Sequence, residues 1–68
     1  MRPMTESDAV RIAQRACAER RIRWEEPYRA TRGLRSWRIL MPSDRRGGNT
    51  MILVSRTSGI ARVHRYGR

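Results

Sequence analysis

The stretch GGNTMILVSRTSGIARVHRY, Gly47–Tyr66, decides how the rest of the chain is read. Two runs rich in β-branched and apolar residues, Thr50–Ser55 and Ile60–Tyr66, flank the segment Arg56-Thr57-Ser58-Gly59, which ends in glycine. This pattern predicts a β-hairpin closed by a loop over 56–59. Setting Ser55 opposite Ile60 places Val54 against Ala61, Leu53 against Arg62 and Ile52 against Val63. Alternation along a strand then separates two faces. Ile52, Val54, Ala61 and Val63 form a core face. Met51, Leu53, Ile60, Arg62, His64 and Tyr66 form the other, a mixture of apolar, aromatic and cationic groups where function is to be sought.

Working outward, the N-terminal part carries a helix. Thr5 followed by Asp8 is a capping-box-like start, with Asp in the usual place of Glu. At ~100° per residue, Val10, Cys17, Ala13, Ala9, Ala16 and Ile12 fall in one arc of roughly 160°, which predicts an amphipathic helix from Glu6 to about Arg20. Alanine adds helix propensity and leaves a contact surface low enough to approach a sheet closely. Cys17 lies inside the arc, as a buried inert thiol would. Asp8 with Arg11 and Arg15 with Glu19 are spaced to pair on the helix surface, which leaves most of the uncompensated arginine downstream.

Arg20–Glu26 reads as an extended connector in which Ile22 and Trp24 alternate with charged residues, ending at Pro27. Glu25 and Glu26 are adjacent, so in an extended segment they point to opposite sides and do not form an acid/base pair. A weak strand is expected over Tyr28–Thr31, a turn at Arg32-Gly33, and a firmer strand over Ser36–Met41 that Pro42 stops. Ser43–Asn49 is a polar loop with Arg45 and Arg46 near its tip.

The order is α-β-β-β-β in one small α+β domain spanning residues 1–68, with 1–4 and 67–68 frayed. One amphipathic N-terminal helix packs on one face of a three- to four-stranded antiparallel meander. Trp37, Ile39 and Met41 join the hairpin's core face. Arg38, Leu40, Met51, Leu53, Ile60, Arg62, His64 and Tyr66 lie on the uncovered one. The Ala-rich helix AVRIAQRA (9–16), then WRILM (37–41), Gly47-Gly48 and MILVSRTSGIARV (51–63), resemble PepSY-type domains and small cystatin-like immunity proteins. Those families usually carry an acidic residue at the entrance of the last loop, where this chain has Ser55. The resemblance implies a binding or inhibitory module without its own catalysis, and it transfers no functional residue.

A chain of 68 residues is small enough that only about 60% of its unfolded surface is buried on folding, and such domains lean on disulfides, metals or association. Cys17 has no second cysteine to pair with, and one His, one Cys and six carboxylates do not make a readable zinc set. Phosphate-loop and dinucleotide fingerprints are absent. Cys17 and His64 are expected on opposite sides of the sheet, which leaves no nucleophile–base pair. The expectation is a non-enzyme with no cofactor, no metal and no small-molecule substrate.

Sixteen basic residues, all arginine, oppose six acidic ones for a formal charge of +10. Base composition accounts for arginine over lysine but not for so few carboxylates, so the surplus favours a polyanionic partner. MRPMTESDAV lacks the apolar core of a signal peptide, and no run approaches a membrane span of roughly 20 residues, so the expected location is cytoplasmic. Two functions follow from the uncovered face. In the first, Arg38, Leu40, Arg45, Arg46, Met51, Leu53, Arg62, His64 and Tyr66 bind an acidic partner protein or a second copy, covering apolar residues that would be uncomfortable in water if contiguous. In the second, the same face and the Arg45-Arg46 loop bind nucleic acid, with arginine on phosphates and Tyr66 stacking. The first reading is preferred, because the face lacks a pair of well-placed aromatics. A membrane-surface role is disfavoured because the helix's apolar side is mainly alanine.

Overall fold

Thr5 starts the helix as expected. In the computed structural model, which describes residues 3–42 and 48–66, Asp8 N–H donates to Thr5 Oγ1 at 3.2 Å and Thr5 N–H donates to Asp8 Oδ2 at 3.0 Å. Two of the four N–H groups a helix start leaves unpaired are thereby satisfied. Helix α1 runs Glu6–Glu19. At its far end Arg21 N–H donates to Ala18 O and Ile22 N–H donates to Cys17 O at 2.8 Å. This is a Schellman closure, which needs a left-handed residue and usually takes glycine. Here Arg21 holds that conformation, with φ 56°. Ile22 then packs against the core, with Trp24 and Tyr28 beyond it.

Four strands follow, β1 (Arg29–Arg32), β2 (Ser36–Pro42), β3 (Asn49–Ser55) and β4 (Ala61–Tyr66). They form one antiparallel sheet in the order β1-β2-β3-β4. The hairpin register is the expected one, with Val54 opposite Ala61, Leu53 opposite Arg62 and Ile52 opposite Val63. Gly59 supplies the positive φ of 74° at the end of its loop, and its N–H donates to Ser55 O at 3.0 Å. Ser55 Oγ accepts from the N–H groups of Thr57 and Ser58 at 3.3 and 3.2 Å. A single hydroxyl therefore organises the loop entrance, as short polar side chains do in turns.

The weak first strand lies one residue later than its expected span over Tyr28–Thr31. Its limits are set by pairing, Arg32 with Trp37 and Arg29 with Leu40, rather than by its own composition. Pro42 is the last residue of β2 and pairs with Asn49, a strand-end position where a missing N–H is tolerated. At the β1–β2 turn a Cβ on Gly33 would lie 2.8 Å from Ser36 O, so only glycine fits there.

The helix covers one face of the sheet. Ala9, Ala13, Ala16 and Cys17 meet Trp37, Ile39, Met41, Ile52 and Val54, all buried. The small helix residues bring α1 onto the sheet, and each fully buried Ile or Val contributes about 1.5–3 kcal/mol. Three polar atoms are buried without a partner among the described residues, Trp24 Nε1, Trp37 Nε1 and Thr50 Oγ1. Burial pushes the Cys17 thiol above its ordinary pKa, against the opposing pull of the Arg20 and Arg65 guanidiniums. A thiol in that state is a poor nucleophile.

Candidate interaction face

Register sorts the side chains on the sheet's uncovered face into rows. One row is Thr31, Arg38, Leu53 and Arg62; the next is Arg29, Leu40, Met51 and His64. Arg29, Arg38, Arg62 and His64 are exposed. Leu40 and Met51 are directly opposite each other on β2 and β3, and Leu53 is two residues along the same face of β3. The apolar residues are therefore contiguous, as the sequence reading required of a docking face.

They are less exposed than that reading implied. Leu40 is 38% exposed, and Met51 and Leu53 are half-buried. Leu53 lies directly between Arg38 and Arg62, and the aliphatic stems of arginine cover neighbouring apolar surface while their heads stay in water. Ile60, at 64% exposure, borders an open depression of about 480 Å³ at the loop end of this face, shared with Arg35, Ser36, Leu53 and Arg62.

Electrostatically the sheet is one-sided. No residue of β1, β2, β3 or β4 is a carboxylate. The described carboxylates sit on α1 (Glu6, Asp8, Glu19) and on the connector (Glu25, Glu26). Glu25 pairs with Arg23 at 3.4 Å on the connector, and the adjacent Glu26 is exposed.

Sequence reasoning missed two arginines, in opposite senses. Arg29 belongs to the uncovered face, but its side follows only from the β1–β2 register. Arg56 is a structural staple: its Nη1 donates to Gly33 O at 2.9 Å and Leu34 O at 3.0 Å, and its N–H donates to Arg35 O. Of the residues expected at the site, Arg38, Leu40, Met51, Leu53, Arg62 and His64 come together here. Tyr66 pairs with Asn49 at the end of β4. Arg45 and Arg46 lie outside the described residues. Cys17 lies in the core under α1 and His64 on the opposite face, so the two are separated by the sheet. Among the described residues no three His, Cys, Asp or Glu side chains cluster to hold a metal, and no helix is long and apolar enough to cross a membrane.

No family model, curated protein or solved structure matches this chain.

Proposed function

We propose that this protein is a non-catalytic binding module whose uncovered sheet face docks an acidic partner protein. The observation that carries the reading is the absence of any carboxylate from the four strands, while Arg29, Arg38 and Arg62 surround the apolar group Leu40, Met51 and Leu53. An apolar centre with an arginine rim is the composition of a protein interface, and its sign selects an acidic counterpart. A second copy docked face to face is disfavoured. At a sheet separation of ~10 Å it sets two carboxylate-free, arginine-rimmed faces against each other. The PepSY-type resemblance implies the same class, a binding or inhibitory module.

The test is a titration with polyglutamate and, separately, with single-stranded and duplex oligonucleotides, each at two salt concentrations. The wild-type chain is compared with a variant carrying Arg29→Gln, Arg38→Gln and Arg62→Gln. The expected result is polyglutamate binding that weakens by about tenfold or more in the variant, as loss of charged contacts worth 1.5–3 kcal/mol each in favourable geometry allows. Oligonucleotide binding tighter than polyglutamate binding at matched salt, with a steep salt slope, overturns the reading in favour of nucleic acid.

A further inference from the structure

The edge of the sheet beside this face has its own binding capacity. Among the described strands β4 is hydrogen-bonded to β3 alone. Ser55 N–H donates to Ile60 O at 2.9 Å, which sets the phase of the ladder, because bonded and open positions alternate in an antiparallel pair. Arg62 and His64 therefore turn their backbone groups toward β3, and Ala61 and Val63 turn theirs away from the sheet. At the start of β4 lies a groove of about 400 Å³ between α1 and the segment Gly59–Ala61. Ile12 and Ala16 contribute apolar lining, Arg11 and Arg15 line it from the helix and Arg20 from its C-cap, and Glu19 is the sole carboxylate among its described lining residues.

We propose that the free edge of β4 accepts an extended acidic peptide segment as an added strand, paired to the backbone of Ala61 and Val63. The proposal rests on the acidic-partner reading above and specifies how that partner is held. Side chains of an added strand alternate between two sides. One set lies beside Arg62 and His64 on the uncovered face, the other over the groove beside Arg11 and Arg15. Acidic residues therefore meet cations on both sides of the edge. A second copy does not suit it: β4 carries two arginines and no carboxylate, so β4-to-β4 pairing opposes like charges. The other edge strand, β1, spans only Arg29–Arg32 and is the poorer template.

The experiment uses the full chain and a ten-residue peptide of alternating Glu and Thr, with a twin N-methylated at every residue so that neither edge of its backbone can donate. Binding is followed by amide chemical shifts and hydrogen exchange. The expected result is that Ala61 and Val63 amides shift and become protected. N-methylation should weaken binding by about tenfold, the equivalent of losing one or two hydrogen bonds. Ala61→Pro removes an outward N–H and no bond to β3, and should weaken the parent peptide similarly. The methylated twin leaves the protein unaltered, so the test does not depend on that variant folding. Equal binding of both peptides overturns the proposal. Shifts confined to Arg38, Leu53 and Arg62 overturn it while leaving the acidic-partner reading intact. Absence of peptide binding at millimolar concentration overturns the edge pairing, and a null polyglutamate titration as well removes the broader reading. Concentration-dependent dimerisation that protects Ala61 and Val63 puts a second copy on the edge and also overturns it.

Discussion

On β3, Ile52 and Leu53 are neighbours in sequence and belong to different surfaces. Ile52 is fully buried, with Ile39 and Val63 on either side, on the face covered by the alanine-lined side of α1. Leu53 faces the other way, half-buried between Arg38 and Arg62. The covered face relies on close packing of apolar residues, with Arg32 and Arg65 on its two outer strands. The uncovered face combines apolar area with cations and excludes acids. One residue of strand phase separates the buried core surface from the face proposed to bind.

The largest expected effect comes from treating the two neighbours alike. Ile52→Ala should cost about 2–5 kcal/mol, enough to unfold much of a small domain, whereas Leu53→Ala should cost under about 1.5 kcal/mol and lower the urea midpoint by correspondingly less. Comparable losses in both variants would break the distinction between the faces. Thr50→Val tests the covered face in the opposite direction. Thr50 is 1% exposed and its Oγ1 lacks a partner, so valine at nearly the same volume should stabilise by about 1–2 kcal/mol. A thermal melt showing destabilisation would mean that the hydroxyl has a role in the core.

Alkaline pH probes the covered face through Cys17. The folded thiol is held above its ordinary value of 9.0, so the unfolded chain ionises first. Fewer protons are bound in the unfolded state, and stability falls as pH rises above about 9, by up to ~1.4 kcal/mol per pH unit until the folded thiol also ionises. Denaturation at pH 8 and pH 10 should show this loss in the wild type and a reduced loss in Cys17→Ala. The smallest effect is expected from a residue outside both faces. Arg21→Gly relieves a left-handed arginine and should add about 0.5–1 kcal/mol of stability while leaving polyglutamate affinity unchanged. A matching drop in affinity would show that total charge, rather than the uncovered face, controls binding.

Most of the architecture was legible in local chemistry. Thr5 and Asp8 mark the helix start, the alanine arc marks its buried side, and Gly59 with the flanking β-branched runs fixes the hairpin register. β1 was displaced because RATR has no strong alternation and owes its limits to β2 and to the glycine-only turn at Gly33. The same dependence hid Arg29, whose side of the sheet is defined only through Leu40. Arg56 resembled any other surface arginine because the carbonyls it binds belong to a turn more than twenty residues away. Half-burial of Leu53 likewise depends on two cross-strand neighbours, neither adjacent to it in sequence.

The Arg56 staple links events that topology alone would keep apart. The turn at 33–35 closes an edge hairpin with a short outer strand, the part of a sheet that ordinarily frays independently. Because one guanidinium binds Gly33 O and Leu34 O and the same residue's amide binds Arg35 O, opening either turn breaks charge-assisted bonds to the other. Both turns are therefore expected to open as one unit, with the Gly33 and Arg56 amides exchanging with solvent through a common event.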